Sequence, residues 1–223
     1  MRICVVIPAY NEGKAIGEII KKIRAQSLDV LVIDDGSSDS CGRIAGDAGA
    51  TVLTNEKNLG KGTSLAKGFV YAVANAYDAI ITMDGDGQHD PADIPNFISA
   101  IQSSGYGMLV GNRMIKVRNM PWLRIMTNHF MSWLISLVLG QKVPDTQCGF
   151  RLIRKAVLEK MKLKTNNFEV ETEMLIQASR LGFTIGSVPI STIYTGEISR
   201  INPVTDTIRF ARYILREIIN KNP

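Results

Sequence analysis

The stretch AIITMDGDGQHDP, residues 79–91, places three aspartates directly behind an apolar run. Asp84 and Asp86 form a D-x-D pair, and Asp90 stands immediately before Pro91. Carboxylates this close together repel one another, so they need solvent, basic partners or a cation. A lone D-x-D is weak evidence, because aspartate is also a common turn former. Aspartate followed by proline is typical of a helix start, which leaves Asp84 and Asp86 as the candidate cation ligands.

Two motif classes with related chemistry do not fit the sequence. An EF-hand loop beginning at Asp84 needs glycine and glutamate at the positions where this chain has His89 and Pro95. A P-loop is excluded because NEKNLGKGT has Asn55 in place of the first glycine. Oxygen ligands in a chain with two histidines favour Mg²⁺ or Mn²⁺ over Zn²⁺. Since Mg²⁺ held by one or two carboxylates usually also binds substrate phosphates, a nucleoside diphosphate fits this site.

The elements that must position these side chains alternate between strand and helix. Apolar, β-branched runs predict strands near residues 2–7, 29–33, 50–55, 79–83 and 107–113. Helical spacing of apolar residues predicts helices between them. This alternation indicates an α/β fold with a doubly wound, mostly parallel sheet flanked by helices.

Polar residues follow the carboxyl ends of the predicted strands. They are PAYNE at 8–12, the pair Asp34 and Asp35, the D-x-D at 84–86, and GNR at 111–113. Ligands of doubly wound sheets bind beyond the carboxyl ends of the strands. We therefore expect these groups to meet along one edge of the sheet.

The chain changes character after residue 113. Residues 120–141 are strongly apolar, but their uninterrupted part, 130–139, is half as long as the ~20 residues that span a bilayer. An interfacial or core helix is predicted there. Residues 204–220 predict a further amphipathic helix with arginines on its flank or opposite face. That pattern suits an anionic lipid surface, and docking on the domain is the equal alternative.

The formal net charge is +5, and the basic residues are concentrated. No acidic residue occurs between Asp93 and Asp145, whereas five lysines and arginines do. This charge fits a solvated basic face, an anionic membrane or a phosphorylated ligand, and composition does not choose among them; nucleic acid is the weakest option, because no recognised motif for it occurs. Three cysteines without a C-x-x-C pair, and no apolar run adequate for a signal peptide, predict a reduced, cytoplasmic setting.

Six motifs occur in order along residues 2–200. They are VVIPAYNEG, VIDDGSSD, NLGKG, MDGDGQHDP, VGNR and DTQCGFR. In this order the chain resembles the inverting family-two glycosyltransferases of GT-A fold, and among them the dolichyl-phosphate mannose synthases and their polyprenyl-phosphate relatives. The resemblance implies one domain over 1–223, with a nucleotide-sugar half to about 113 and an acceptor- and membrane-facing half beyond it.

The resemblance also implies an activity and a set of residues. A hexose would pass from a GDP-mannose or UDP-glucose type donor to a polyprenyl or dolichyl phosphate, with Mg²⁺ or Mn²⁺, at the cytoplasmic face of a membrane. The nucleotide side would use Pro8, Tyr10, Glu12, Asp35, Lys61, Asp84 and Arg200. The metal would be held by Asp84, Asp86 and Gln88. The catalytic group would be Asp86 with the acceptor-side residues Arg113, Asp145 and Arg151.

Several alternatives stay open at the level of sequence. Gly149 stands where some relatives carry an acid, so no general base is assigned. A lipid phosphate is already ionised and needs no strong base, whereas a sugar hydroxyl would need one, with Asp145 as the candidate. A soluble or growing-glycan acceptor is thus one alternative, and a non-catalytic nucleotide- or membrane-binding module is another. Whether a separate membrane protein is a partner is also open.

Five further residues have structural interpretations beside the functional one. His89 is expected to support the site rather than to bind the metal. Lys61 is either a phosphate ligand or an ordinary residue of a helix N-terminus. Glu169, Glu171 and Glu173 are expected to form an acidic first helical turn that the helix dipole stabilises.

Overall fold

A computed structural model describes residues 1–115, 122–166 and 169–193. The strands are β1 (Ile3–Ala9), β2 (Asp29–Asp34), β3 (Thr51–Thr54), β4 (Ala79–Thr82), β5 (Met108–Asn112), β6 (Arg151–Arg154) and β7 (Ile185–Pro189). The helices are α1 (Ile16–Arg24), α2 (Cys41–Asp47), α3 (Lys61–Ala74), α4 (Ile94–Gln102), α5 (Trp122–Leu139), α6 (Lys155–Leu158) and α7 (Val170–Arg180). A short 3₁₀ helix, Pro91–Asp93, precedes α4. The predicted helix at 204–220 lies outside the described residues.

The seven strands form one sheet in the order β3-β2-β1-β4-β6-β5-β7. All neighbouring pairs are parallel except those of β6, which runs antiparallel to both β4 and β5. The predicted α/β class with a mostly parallel sheet is therefore confirmed. Because β6 is reversed, its first residue, Arg151, pairs with Thr82 and Val110 near the carboxyl ends of β4 and β5. The DTQCGFR motif thus reaches the same edge as the D-x-D.

The sheet owes its stability to strands that are apolar on both faces. Residues 3–7 of β1 and 30–33 of β2 are buried, as expected where helices cover a parallel sheet. Helix α1 buries its isoleucines at positions 16, 19, 20 and 23, the spacing of one helical face. Helix α3 lies so close to β1 that a Cβ at Gly68 would stand 2.5 Å from Val6 Cγ1. Glycine is therefore required where α3 crosses the sheet.

Helix α5 has an unusual distribution of side chains. Its buried positions include the polar residues Asn128 and Ser132 beside Ile135. Five of its large apolar residues are instead exposed, namely Trp122, Met126, Phe130, Trp133 and Leu137, each 58–70% accessible. They recur every three or four residues and so form one stripe, which we call the α5 apolar face. Among the described residues, no helix combines the length and apolar character needed to cross a bilayer.

Candidate functional site

The D-x-D segment follows β4 and is packed between two other loops. A Cβ on Gly85 would lie 3.3 Å from Glu12 Cγ, so the loop after β1 is in contact with it. A Cβ on Gly149 would lie 2.6 Å from Asp84 Oδ2, so the segment before β6 also touches it. Thr82 fixes this second contact, because its hydroxyl donates to the Gly149 carbonyl oxygen at 2.7 Å. The predicted convergence of strand ends is present.

A lysine bridges two carboxylates at the centre of the site. The Lys61 ammonium, at the first residue of α3, lies 2.5 Å from Asp84 Oδ1 and 2.6 Å from Glu171 Oε1. All three groups are largely shielded, with side-chain exposures of 18%, 29% and 6% in that order. Shielding strengthens such ion pairs relative to exposed ones. Lys61 is therefore part of the site and more than a helix N-terminus.

The ion pairs change the pKa values of this cluster. Burial acts to raise the pKa of Asp84, but Lys61, with His89 and Arg113, outweighs burial and lowers it to about 2. Burial acts to lower the pKa of Lys61, but the charges of Asp84 and Glu171 raise it above its ordinary value. Asp84 and Lys61 are accordingly both charged at neutral pH.

Asp86 lies in a different electrostatic environment from Asp84. Burial and the neighbouring negative charge of Asp84 raise the pKa of Asp86 above its ordinary value. Its Oδ1 accepts the Gln88 backbone N–H at 2.9 Å, which holds Asp86 and Gln88 in one tight turn. A carboxylate whose pKa rises through a like charge gains from a nearby cation.

The residues expected to bind a metal fit a hard divalent cation. Asp84 and Asp86 supply carboxylate oxygens, and Gln88 supplies an amide side chain, all within one short loop. Within the described ranges there is no cluster of three or more His, Cys, Asp or Glu side chains arranged to hold a metal. The loop with Asp84, Asp86 and Gln88 offers few ligands, so it suits Mg²⁺ or Mn²⁺ that takes its remaining ligands from phosphates. It does not suit an ion that is enclosed entirely by protein groups.

His89 supports this loop from beneath. Its Nδ1 accepts the Asp84 backbone N–H at 3.3 Å, and its ring lies 5.3 Å from the Phe150 ring. Burial lowers the pKa of His89, so the ring is neutral at pH 7. A neutral ring whose Nδ1 is engaged in this way matches the structural role expected for His89.

The segment after β7 closes one side of the D-x-D loop. Asp93 Oδ2 accepts the Ser191 N–H at 2.8 Å, and the Ile193 N–H donates to the Gln88 carbonyl oxygen at 3.0 Å. His89 and Thr192 form an isolated antiparallel bridge. The chain that leads to Arg200 therefore passes beside the candidate metal loop, while Arg200 itself lies outside the described residues.

The residues expected on the nucleotide side, at the ends of β1 and β2 or just beyond them, lie at the same edge. Pro8 ends the buried run of β1, Tyr10 is 38% exposed just beyond it, and Glu12 contacts the D-x-D loop as above. Asp35 is 4% exposed. Its carboxylate accepts three hydrogen bonds, from Asn55 Nδ2 at 2.7 Å and from the backbone N–H groups of residues 59 and 60 at 2.9 and 2.8 Å. Asp35 thus fixes the NLGKG turn that carries Lys61.

Arg113 and Asp145, both expected on the acceptor side, are paired. Arg113 Nε and Nη2 donate to the two oxygens of Asp145 at 2.7 and 2.9 Å, and its backbone N–H adds a third bond at 3.1 Å. Asn128 of α5 donates to the same carboxylate at 3.0 Å. Burial acts to raise the pKa of Asp145, but the hydrogen bonds and charge of Arg113, with Asn128, hold it below its ordinary range. Asp145 is consequently a weak base.

The interpretation of Arg151 as an acceptor-side catalytic group is wrong in this geometry. Arg151 is fully buried, and its guanidinium donates to the carbonyl oxygens of Thr146 and Cys148 at 2.8 Å and of Glu171 at 2.5 Å. These bonds tie the DTQCGFR loop to the start of α7. Arg151 therefore stabilises the backbone of this loop and does not face a substrate.

Helix α7 contributes two glutamates, Glu171 and Glu173, that the sequence patterns did not single out for chemistry. Glu173 accepts hydrogen bonds from the backbone N–H groups of Lys164 and Thr165, each at 2.9 Å. The loop it holds packs on α3, since the Gly62 N–H donates to the Asn166 carbonyl oxygen at 2.9 Å. Glu171, two residues before Glu173, instead contacts the Lys61 ammonium. The expected acidic first turn exists, but two of its carboxylates have specific partners.

The seven-stranded, mostly parallel sheet with its reversed β6 and flanking helices matches the GT-A fold of glycosyltransferases. Residues 4–162 match the family model described as Glycosyl transferase family 2. The chain belongs to this family, and it is a glycosyltransferase. The alternative of a non-catalytic nucleotide- or membrane-binding module is thereby removed.

Named relatives and a solved structure agree with this assignment. The chain is 31% identical over 216 residues to a UDP-N-acetylglucosamine–dolichyl-phosphate N-acetylglucosaminyltransferase of Methanococcus voltae, covering 86% of each chain. It is 28% identical to the polyprenol monophosphomannose synthase of Mycolicibacterium smegmatis, over 85% of this chain and 77% of that one. Glucosyl-3-phosphoglycerate synthase of Mycobacterium tuberculosis, crystallised with Mn²⁺ and UDP, has the same fold. Its TM-score is 0.74 at 20% identity, covering 98% of this chain and 79% of that one.

Proposed function

We propose that this chain transfers a hexose, with inversion and with Mg²⁺ or Mn²⁺, from a GDP-mannose or UDP-glucose type donor to a polyprenyl phosphate at the cytoplasmic face of a membrane. The observation that carries the choice of acceptor is the state of Asp145. Its carboxylate is buried and forms an ion pair with the Arg113 guanidinium, and its pKa is lowered. Since a weak base cannot readily deprotonate a sugar hydroxyl, an acceptor that is already ionised fits this site better. Relatives named for dolichyl-phosphate and polyprenol acceptors support the same choice.

The donor side supplies charge where the leaving group needs it. In the transfer, an acceptor oxygen forms a bond to the anomeric carbon while the bond from that carbon to the nucleoside diphosphate breaks. Asp84, Asp86 and Gln88 would hold the metal, which offsets the negative charge that develops on the diphosphate. The Lys61 ammonium, 2.5 Å from Asp84 Oδ1, lies next to that position and adds a second positive charge. Glu12 and the Asp35-anchored turn shape the nucleotide side.

The acceptor side supplies a positive group and a route to a membrane. Arg113 follows β5 directly and pairs with Asp145, and residues 94–144 contain no acid that would repel an anionic acceptor. The α5 apolar face carries two tryptophans and a phenylalanine, side chains that favour the membrane interface. Helix α5 also contributes Asn128 to the Asp145 carboxylate. One helix therefore links a surface suited to lipid with the acceptor-side pair.

The test measures release of nucleoside diphosphate from a panel of GDP- and UDP-sugars. Release should require both a polyprenyl phosphate and Mg²⁺ or Mn²⁺, and Asp86→Ala should abolish it. Asp90→Asn is the matched control, because it removes a carboxylate from the same loop yet keeps the cap that Asp90 gives to the Ala92 N–H at 3.0 Å. Unchanged release in Asp86→Ala would refute the site. Efficient transfer to a water-soluble sugar without lipid would select the soluble-acceptor alternative.

A further inference from the structure

Glu171 has no part in the transfer described above, yet its carboxylate lies inside the donor site. The side chain is 6% exposed, and Oε1 lies 2.6 Å from the Lys61 ammonium. Its other oxygen, Oε2, is buried and has no hydrogen-bond partner in the described part of the chain. A buried carboxylate oxygen without a partner is costly, so its retention beside Lys61 indicates a use.

The charged side chains around Lys61 include more carboxylates than ammonium groups. Asp84, Asp86 and Glu171 bring three carboxylates to one cluster, and Lys61 brings one ammonium. When all four are ionised, the formal charge is −2, which is the charge that one divalent cation neutralises. Lys61 thus compensates the cluster only in part, and it does so by occupying Asp84 Oδ1 at 2.5 Å, an oxygen that a metal would use.

We propose that Glu171 is a positioning residue for Lys61, and that Lys61 is the resident counter-cation of Asp84, which the divalent metal displaces toward Glu171. This inference rests on the proposed metal role of Asp84. An ammonium group has three donors and can hydrogen-bond both oxygens of one carboxylate. The unpartnered Oε2 of Glu171 gives the displaced ammonium its second acceptor. Lys61 then stays in the site, where the diphosphate can take the donor that Asp84 has released.

The inference predicts opposite effects on metal and on nucleotide. In Lys61→Met, Mn²⁺ no longer competes with an ammonium, so its affinity for the nucleotide-free protein should rise about tenfold. Affinity for GDP or UDP at saturating Mn²⁺ should fall, because the diphosphate loses a positive partner. In Glu171→Gln, the ammonium has only Asp84 as a charged partner, so Mn²⁺ affinity should fall about tenfold. A general loss of structure would weaken both ligands together.

The experiment is isothermal titration of Mn²⁺, then of GDP and UDP, into the wild type, both single variants and the Lys61→Met/Glu171→Gln double variant. The double variant removes opposite charges together, so it keeps the test available if a single variant folds poorly. Lys21→Met is the matched control, since it removes an exposed lysine paired with Glu18 at 2.8 Å, and its Mn²⁺ affinity should be unchanged. If Glu171 acts through Lys61, the effect of Glu171→Gln should largely vanish in the Lys61→Met background.

Three outcomes would overturn the inference, and they are distinguishable. Unchanged or weaker Mn²⁺ binding in Lys61→Met would show that Lys61 does not compete with the metal. Fully additive effects in the double variant would show that Glu171 acts without Lys61. Absence of Mn²⁺ binding by the wild type, with and without nucleotide, would overturn the metal-dependent function itself and this inference with it.

Discussion

Gly149→Ala adds one methyl group at the point where the D-x-D loop and the DTQCGFR segment touch. The new Cβ would lie 2.6 Å from Asp84 Oδ2 and 3.0 Å from its Oδ1. Ordinary contacts of this kind begin near 3.4 Å, so one partner must retreat by roughly 0.8 Å. The glycine has no left-handed backbone conformation, and alanine is therefore acceptable to the main chain itself.

The retreat falls on the Asp84 carboxylate. The backbone beside Gly149 is held on both sides, by the Thr82 hydroxyl at 2.7 Å and by the Gly111 N–H, which donates to the Phe150 carbonyl oxygen at 2.8 Å. Asp84 is partly exposed and can rotate, so the cost to the free energy of unfolding should be small, about 1 kcal/mol. A displaced metal ligand is more damaging to the reaction. We expect a rate loss of about 100-fold, or ~2.7 kcal/mol of activation free energy.

The assay is the initial rate of nucleoside diphosphate release as a function of Mn²⁺ concentration, with thermal unfolding measured in parallel. Gly149→Ala should need more Mn²⁺ for half-maximal rate and should lose rate even at saturation. Gly46→Ala in helix α2 is the control, because a Cβ on Gly46 would meet only Val52 Cγ2, at 4.0 Å. Wild-type rate and Mn²⁺ dependence in Gly149→Ala, with the protein folded, would refute the geometry on which this reasoning depends.

Three further predictions follow from buried charge and exposed apolar surface. Arg151→Lys should lower the free energy of unfolding by about 3 kcal/mol in urea titrations, because one ammonium cannot replace a guanidinium that serves three carbonyl oxygens. Because the folded-state pKa of Asp84 is lowered to about 2, its stabilisation is present above its unfolded pKa near 4 and is lost as pH falls toward 2. The stability advantage of wild type over Asp84→Asn should therefore shrink by about 2 kcal/mol between pH 5 and pH 2. Trp133→Gln on the α5 apolar face should weaken binding to anionic vesicles about tenfold in sedimentation assays; Val70→Gln, on the more exposed Val70 of α3, should not.

The first five strands, β1 to β5, could be predicted because their signals are local, whereas β7 was not predicted. The runs around β1, β2 and β4 are continuous, apolar and β-branched, and such runs mark strands buried on both faces. Strand β6 gave no such signal. It has four residues, begins and ends with arginine, and takes its place through pairing with β4 and β5. Its reversed direction is a tertiary property that no local pattern contains.

The candidate site was predictable where ligands follow a strand and not where they depend on distant contacts. Asp84 and Asp86 follow β4 directly, so their position at the sheet edge could be inferred. The partnership of Lys61 with Glu171 joins α3 to α7 across 110 positions of sequence, and an acidic first turn looks the same whether its glutamates face solvent or a lysine. Arg151 was misassigned for a related reason, since its motif shows a charge but not the three carbonyl oxygens that enclose it.

Because β6 is reversed, the segment before it returns to the edge of the sheet that carries the D-x-D loop. The proposed donor and acceptor sides therefore come from separate parts of the chain. Asp35 and the D-x-D pair, proposed for the donor, follow strand ends within the first half of the sequence, whereas the segment proposed for the acceptor, 122–150, runs continuously from the start of α5 to the residue before β6. Exchange of that piece between homologues would leave every strand pairing of the donor half intact. On the proposed function, we therefore expect a change of acceptor to require changes in this single segment, while the strand ends that carry Asp35 and the D-x-D pair keep their places in the sheet.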